Sequence, residues 1–266
     1  MIEEKYEQLQ TILRDLDNVV VAFSGGVDST FLLKVAVDTL GKEKVLAVTA
    51  DSETYPSSEL EEAKQLASAI GAKHIVIETS ELAIPGYTEN NKNRCYFCKN
   101  SLFEHVLPIM QKHQFENMVY GVIADDMSEY RPGMKAAKKH GVRGPLAEAN
   151  LYKEEIRQLS KQFGLATWEK PSFACLSSRI AYGETITQAK LTKVDRSEAF
   201  LKTIGLKQVR VRTHGDIARI EVEQQDMHIL LNHHTRITEQ LQSYGYKFVT
   251  MDLIGYKSGS MNRVLT

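Results

Sequence analysis

The chain has 266 residues, of which 42% are hydrophobic and 25% charged, as is ordinary for a globular protein. This length suits one large domain, or a medium and a small one, with a substantial core. The formal net charge of −1 supplies no global basic field and argues against nucleic-acid and membrane partners. The sequence has no signal peptide and no long apolar run, and an odd count of three cysteines favours a reducing compartment. We therefore expect a cytoplasmic protein.

Strands and helices are predicted to alternate through the first part of the chain. Helices are predicted over residues 2–16, 30–40, 57–70, 96–113 and 150–163, and strands over 19–23, 44–50, 74–78 and 117–121. Residues 80–94 are polar and are predicted to form a mobile loop. The alternation predicts an α/β fold with a doubly wound parallel sheet, whose ligands bind beyond the carboxyl ends of the strands.

A glycine turn, residues 24–29, joins the first predicted strand to the next helix. Free backbone N–H groups and the positive end of the helix converge there, which is typical of an anion site, although an ordinary βαβ glycine turn is the simpler alternative. The turn has no lysine and is not a Walker A sequence, nor is it a dinucleotide G-x-G-x-x-G. Ser-Gly-Gly-Val-Asp-Ser resembles the signature of the ATP pyrophosphatase (PP-loop) superfamily, which cuts ATP into AMP and pyrophosphate. We therefore predict that the turn binds pyrophosphate.

Two further segments are predicted to end at the same edge of the sheet. One is the Asp51-Ser52 turn, from which we assign Ser52 to the nucleotide site. The other, residues 121–133, carries two adjacent aspartates, an arginine and a Pro-Gly turn, and could equally be an acidic surface loop. From it we assign Arg131 to the substrate site, together with Lys99.

A domain boundary is predicted near residues 165–185, giving domains over 1–170 and 171–266. In the second part, helices are predicted over 187–203 and 226–243, and strands over 208–214, 217–222 and 247–253, which make a smaller C-terminal α/β domain. Alternation places Arg210, Arg212 and His214 on one strand face. This face is either a solvated surface or a dock for phosphate or carboxylate, and Glu198 and Glu221 either orient the arginines or contact a substrate hydroxyl.

The three cysteines, Cys95, Cys98 and Cys175, allow four interpretations. They could be inert packing residues, or a redox disulfide could join the first two. They could bind zinc if His105 or His113 supplied a fourth ligand. Three cysteines can also hold three irons of a 4Fe-4S cubane and leave the fourth iron open, ready to carry a sulfide.

The combination of motifs resembles the LarE family over essentially the whole chain. The matching segments are Ser24 to Ser29, Tyr130 to Gly133, Phe173 to Arg179 with Tyr182-Gly183, Val209 to Arg212, Asp216 to Glu221, and Met251 to Asn262. Members of that family are ATP-dependent sulfur transferases. They convert pyridinium biscarboxylic acid mononucleotide to its bisthiocarboxylic form, a step towards the nickel-pincer nucleotide cofactor of lactate racemase.

The resemblance implies roles for individual residues. ATP phosphates and Mg²⁺ would be held by Ser24, Gly25, Gly26, Asp28 and Ser29. The substrate mononucleotide would be bound by Arg210 and Arg212, with Glu198, Ser178 and Glu221 nearby. A substrate carboxylate would attack the α-phosphate, and sulfur would then displace AMP from the acyl adenylate.

The sulfur source has two readings under this resemblance. Cys175 matches the sulfur-bearing cysteine of the family, and some members sacrifice its sulfur and leave dehydroalanine. The additional Cys95 and Cys98 resemble those of members similar to cluster-dependent tRNA thiolases. The favoured hypothesis is a 4Fe-4S cluster on Cys95, Cys98 and Cys175, with these cysteines and Asp28 as the catalytic set.

Three other functions are compatible with parts of the sequence. A tRNA thiolase shares the PP-loop and three cysteines but needs a broad basic surface. An amide-forming synthetase of the same superfamily needs no cysteines, and a non-catalytic nucleotide-sensing module needs no second domain. The resemblance also implies a homo-oligomer, a hexamer in the family.

Overall fold

The computed structural model describes residues 1–128, 132–171, 173–257 and 259–261. By internal contacts the chain divides into two compact units. Residues 1–80 and 95–173 form the first unit, and residues 81–94 join those from 174 onward in the second. The boundary predicted between residues 170 and 171 stays a prediction, and it would leave residues 81–94 in the first domain.

The first unit is built on a parallel sheet. Its strands are β1 (Val19–Ala22), β2 (Val45–Asp51), β3 (Lys73–Glu78) and β4 (Asn117–Tyr120). Its helices are α1 (Ile2–Leu16), α2 (Val27–Leu40), α3 (Ser57–Ile70), α4 (Arg94–His113), α5 (Pro132–Lys139), α6 (Pro145–Glu148) and α7 (Lys153–Gln162). The strand order is β3-β2-β1-β4 and each pairing is parallel. The predicted α/β fold with a parallel sheet is confirmed.

The side chains of strand β1 pack against helices on both faces of this sheet. Its three valines are fully buried. Val19 and Val21 pack in an apolar cluster with Phe31 of α2, whereas Val20 packs in a second cluster with Phe103 of α4. Because successive side chains of a strand point to opposite faces, an unbroken apolar strand needs helices on both sides.

The second unit contains the predicted small C-terminal sheet. Its strands are β5 (Val209–His214), β6 (Ile217–Val222) and β7 (Phe248–Met251), and its helices are α8 (Gln188–Thr203), α9 (Met227–Asn232) and α10 (His234–Ser243). Strands β5 and β6 are antiparallel, and β7 runs parallel to β6. Val209 and Val211 turn their side chains into a core with Leu201 and Leu241. The arginines between these valines therefore lie on the other face of the sheet.

Two predicted helices differ from the structure. The helix predicted over 226–243 is two helices that meet at His233, whose φ of −112° ends α9. The helix predicted to begin at residue 150 begins at Lys153, because Asn150 has a left-handed φ of 53° and Glu155 caps the later start. In the part of the chain that the structure describes, no helix is long and apolar enough to cross a membrane.

Candidate active site

Helix α2 begins inside the Ser-Gly-Gly signature, three residues before its predicted start. Gly26 is the N-cap residue, with extended backbone at φ −80° and ψ 170°. Gly25 has a φ of +63°, and a Cβ there would lie 3.0 Å from the Cβ of Ala63 on α3. Both the backbone conformation and this close approach require glycine, so the turn is held tightly against α3.

Side chains engage three successive carbonyl groups of the turn. Tyr55 donates its hydroxyl to the carbonyl of Ser24 at 2.8 Å. Lys170 donates to the carbonyl of Gly25 at 3.2 Å, and Ser29 to that of Gly26 at 3.3 Å. A left-handed glycine that leads directly into a helix N-terminus is typical of an anion-binding nest. The geometry therefore suits the predicted phosphate site.

A lysine from a distant helix pairs with the signature aspartate. The Nζ of Lys153 lies 2.8 Å from each carboxylate oxygen of Asp28. The backbone N–H of Lys153 donates to Asp125 at 2.9 Å, so this acidic residue fixes the start of α7. Sequence patterns did not indicate Lys153. The one hint in the sequence was that the turn itself contains no lysine, so a cation for its aspartate had to come from elsewhere in the chain.

Lys170 forms a second cationic support of the turn. Its Nζ lies 2.7 Å from a carboxylate oxygen of Glu59 and 2.8 Å from one of Glu62, both on α3. Its side chain is only 11% exposed, so the ion pairs are partly shielded from water. Lys170 thus ties the Gly25 carbonyl to α3, and it too was missed from sequence.

The connection after β2 lies at the same edge of the sheet. Tyr55 is half-buried, and this burial raises the pKa of its hydroxyl, so the group stays a hydrogen-bond donor at neutral pH. Its ring makes an edge contact with Phe173, with ring centres 5.5 Å apart. The Oγ of Ser52 lies 3.3 Å from the side-chain oxygen of Thr54, within the connection.

The segment after β4 supports the turn from the other side. A Cβ on Gly121 would lie 2.9 Å from the backbone nitrogen of Ser29. Asp126 accepts a hydrogen bond from the N–H of Ile123 at 3.2 Å and so shapes the segment itself. The predicted substrate residue Arg131 lies outside the described residues. Lys99, also predicted for the substrate, has its Nζ 4.9 Å from the ring centre of Tyr120.

A buried ion pair dominates the second unit. Arg179 donates from Nε and Nη2 to the two carboxylate oxygens of Glu198 at 2.9 and 3.0 Å. Burial works against the charge on Glu198, but Arg179 outweighs it and holds the pKa of this carboxyl below its ordinary value. The same carboxyl accepts the N–H of Val211 at 3.0 Å, which joins α8 to β5.

The arginine face of β5 is buried rather than solvated. Arg210 and Arg212 are 7% and 5% exposed. Arg212 donates to Glu221 at 2.8 and 3.0 Å and to the carbonyl of Ser178 at 3.2 Å. Arg210 lies over the ring of Tyr256, 5.4 Å from its centre, and burial lowers the pKa of its guanidinium. The structure thus brings together Arg210, Arg212, Glu198, Ser178 and Glu221, and their role in substrate binding stays a prediction.

The three cysteines lie in two different units. Cys95 is exposed and Cys98 half-buried, one turn apart at the start of α4 in the first unit. Cys175 is half-buried in the second unit, just before a short 3₁₀ helix over Leu176–Arg179. Among the residues that the structure describes, no group of three or more His, Cys, Asp or Glu side chains is arranged to hold a metal ion. The predicted zinc and iron–sulfur sites therefore stay predictions.

Comparisons with known proteins place the chain in a family. A family model described as NAD synthase matches residues 2–176. The chain is 44% identical to an uncharacterized protein of Synechocystis over all of both chains. It is 38% identical to the pyridinium-3,5-bisthiocarboxylic acid mononucleotide synthase of Lactiplantibacillus plantarum, over 98% of this chain and 95% of the other.

More distant similarity covers part of the chain. An ammonia-dependent NAD⁺ synthetase of Methanococcoides burtonii is 26% identical over 56% of this chain and 58% of its own. The predicted resemblance to the LarE family is confirmed by the full-length match to the Lactiplantibacillus plantarum enzyme. The chain is therefore an ATP-using enzyme that belongs to the NAD synthase-like PP-loop family and, within it, to the LarE family.

Proposed function

We propose that this enzyme is an ATP-dependent sulfur transferase that converts the carboxylates of pyridinium biscarboxylic acid mononucleotide to thiocarboxylates. The observation that carries this proposal is the 38% identity, over 98% of this chain and 95% of the other, to a synthase named for the bisthiocarboxylic product. That product is the form expected in nickel-pincer nucleotide synthesis for lactate racemase. The geometry of each unit supports a role for it in this chemistry.

The first unit would carry out adenylation. A substrate carboxylate oxygen attacks the α-phosphorus of ATP, the bond to the bridging oxygen breaks, and pyrophosphate leaves. The nest formed by Ser24, Gly25, Gly26 and Ser29 would bind the phosphates, with Ser52 at its border. Lys153 supplies the positive charge that the turn lacks, since it already contacts Asp28.

Asp28 suits a magnesium ion bound together with ATP. Mg²⁺ commonly uses one or two carboxylates and completes its shell with phosphate oxygens and water, so it needs no cage of protein ligands. The Asp28 side chain is 24% exposed at the start of α2, where phosphate would lie. Bound Mg²⁺ would neutralise phosphate charge while Lys153 moves from Asp28 towards the phosphates.

The second unit would bind the mononucleotide. Four arginines, Arg179, Arg210, Arg212 and Arg219, lie among three carboxylates, Glu198, Glu221 and Asp252. Guanidinium groups bind phosphate and carboxylate bidentately, so this arginine-rich, largely buried face favours such a ligand. Ser178 is held beside Arg179, with its Oγ at 2.9 Å from Nη1, and would add a hydroxyl donor. Arg131 and Lys99 are proposed to contact the substrate as well.

Cys175 is the proposed immediate sulfur donor. Its thiolate attacks the acyl carbon of the adenylate, and AMP leaves with the electron pair of the broken C–O bond. Loss of the Cys175 α-proton to water then breaks the Cβ–Sγ bond. The substrate leaves as a thiocarboxylate and residue 175 becomes dehydroalanine. No external oxidant or reductant is needed for this sequence.

A cluster on Cys95, Cys98 and Cys175 is the second proposed route. Among the described residues, no three such ligands are brought together. Iron content decides between the routes. Iron that is lost in a Cys95→Ala/Cys98→Ala variant, together with repeated turnover, would favour the cluster.

The central experiment uses enzyme purified without oxygen, with ATP, Mg²⁺ and the mononucleotide. We expect pyrophosphate and AMP to form in step with thiocarboxylate, and Cys175→Ser to keep pyrophosphate release while losing thiocarboxylate. Intact mass should show the loss of one hydrogen sulfide at residue 175 on the sacrificial route. An enzyme that consumes ATP with this substrate but makes an amide when given ammonia would contradict the proposal.

A homo-oligomer, with a hexamer as the expected size, is also proposed. Phe248 is 62% exposed on β7, directly opposite Ile217 of β6, which is 38% exposed. Leu253 and Ile254 extend this apolar surface past the strand, at 79% and 47% exposure. A contiguous exposed apolar patch is typical of an interaction surface. Light scattering on wild type and Phe248→Glu tests the assembly.

A further inference from the structure

Residues 81–94, which we call the clasp, leave β3 in the first unit and pack within the second unit. The sequence predicted a mobile polar loop there. In the structure three of its polar side chains are buried, with Asn90 fully covered, Tyr87 1% exposed and Arg94 5% exposed. Buried polar side chains are costly unless they have partners, so these three indicate a specific contact.

The partner of the clasp is the loop that carries Cys175, residues 174–186, here called the cysteine loop. Tyr87 donates its hydroxyl to the Oγ of Ser177 at 2.8 Å. Two backbone hydrogen bonds add to this contact, from Gly183 N–H to Asn90 at 3.2 Å and from Ile186 N–H to Thr88 at 2.9 Å. The clasp thus binds the cysteine loop along much of its length.

Arg94 organises the centre of this contact. Its Nη1 donates to the carbonyl of Ser177 at 2.9 Å and to the side-chain oxygen of Asn90. Because the Asn90 amide oxygen faces Arg94, its NH₂ group faces the carbonyls of Ile180 and Ala181, at 3.2 and 2.7 Å. The guanidinium also lies over the ring of Tyr182, 4.9 Å from its centre. One arginine therefore fixes three carbonyls of the cysteine loop, one directly and two through Asn90.

Two other arginines contact three more carbonyls of the cysteine loop. Arg179 donates to the carbonyl oxygens of Ala174 and Cys175, and Arg212 to that of Ser178. Side chains thus engage the carbonyls of Ala174, Cys175, Ser177, Ser178, Ile180 and Ala181. A loop whose only regular structure is one short 3₁₀ turn ordinarily has most of its backbone groups hydrated and mobile. This loop is instead fixed on both sides of its thiol.

We propose that Arg94 is a positioning residue for sulfur transfer, holding the cysteine loop so that the Cys175 thiol is presented in one geometry. The inference rests on the proposed function, because it assigns the thiol as the sulfur donor. Arg94 acts through the loop backbone and takes no part in adenylation. A displacement of about 1 Å between reacting groups can lower a rate by about 10²-fold, so loosening this contact should slow transfer strongly.

The test compares Arg94→Met with wild type, using full-length enzyme purified without oxygen. A single turnover with ATP and the mononucleotide gives two rates, pyrophosphate release and loss of sulfur from residue 175 by intact mass. We expect sulfur loss to fall by about tenfold or more while pyrophosphate release stays within about twofold. Arg94→Lys should recover part of the rate, since one ammonium can reach one of the two acceptors. The matched control is Arg196→Met. Arg196 belongs to α8 and lies over the ring of Tyr244, and its removal should leave both rates as in wild type.

A second readout needs neither ATP nor substrate. Alkylation of Cys175 by iodoacetamide should be about threefold or more faster in Arg94→Met, since the loop opens more often. The alkylation rate tests the clasp even if the enzyme transfers no sulfur at all. An absence of sulfur transfer would count against the proposed function and not against the clasp. Tyr87→Phe removes only one hydroxyl and should fold; it should shift both readouts in the same direction by a smaller factor. Equal transfer and alkylation rates in wild type and variants, or pyrophosphate release falling as much as transfer, would overturn the inference.

Discussion

The ammonium group of Lys153 lies 2.8 Å from both carboxylate oxygens of Asp28, although 125 residues separate them. Asp28 belongs to the signature turn, and Lys153 is the first residue of α7. Lys153 brings an ammonium group to a turn that is predicted to bind phosphate and contains no lysine of its own. Under the proposed function, this ammonium group would move from the carboxylate to the phosphates when ATP binds, the role expected of lysine as a compact point charge.

Replacing Lys153 with Met should lower pyrophosphate release by about tenfold or more and weaken ATP binding, because developing phosphate charge loses a preorganised cation. Lys153→Arg should retain part of the activity, since it keeps the charge but not the geometry. Lys161→Met, on the same helix with its Nζ over the ring of Trp168, is the control. Calorimetric titration of ATP and a pyrophosphate assay measure both effects. Equal activity in the two Met variants would show that the ion pair with Asp28 has no part in nucleotide binding.

The architecture around this pair could be predicted from sequence because its signals are local. The three buried valines of β1, the glycine turn and the helix after it occupy one short stretch. Lys153 and Lys170 could not be found in this way. Each reaches the turn only after the sheet has folded, and a lysine near a helix end is ordinarily a solvated surface residue.

Gly121 should be intolerant of even one added methyl group. Its Cβ would lie 2.9 Å from the backbone nitrogen of Ser29, and backbone at the start of α2 cannot move without disturbing the turn. Gly121→Ala should cost about 1–3 kcal/mol of unfolding free energy and lower ATP affinity. Gly41→Ala is the comparison. Its φ of +85° makes any side chain there cost stability, but no other atom lies within 4 Å of the position a Cβ would take. Denaturant unfolding and ATP titration should show a stability loss for both and an affinity loss for Gly121→Ala alone.

Lys170 should stabilise the turn mainly through Glu59. Removing the cation leaves a carboxylate that is only 12% exposed without its ion-pair partner. We expect Lys170→Met to lower the free energy of unfolding by roughly 2–4 kcal/mol. The double variant Lys170→Met/Glu59→Gln should recover much of this loss, because the uncompensated charge is gone. A double variant as unstable as the sum of the single ones would mean that the two side chains act independently.

The second unit shows where sequence patterns stop being informative. Alternation correctly placed Arg210 and Arg212 on one face, but it could not say whether that face meets water, and both side chains are buried. The clasp is the opposite case. Its polar composition is typical of an exposed loop, yet Asn90 and Arg94 are buried through partners in the cysteine loop. Burial of polar residues depends on long-range partners that a local pattern does not contain.

The Arg179–Glu198 pair should make stability depend on acidity. Arg179 holds the pKa of Glu198 below its ordinary value of 4.5, so the folded state binds this proton more weakly than the unfolded chain. The ionised Glu198 therefore contributes its full share to the free energy of unfolding when the pH is above the ordinary pKa. This share is lost as the pH falls through the lower pKa of the folded state. Glu198→Gln, which leaves a buried arginine unpaired, should cost about 3 kcal/mol at neutral pH, and this cost should shrink below about pH 4.5. Asp216→Asn, in the exposed ion pair with Lys247, should change stability far less.

Urea unfolding of wild type and both variants from neutral pH to about pH 3 measures the difference. If the cost of Glu198→Gln stayed constant or grew as the pH fell, the carboxyl would not be charged through Arg179 as assigned.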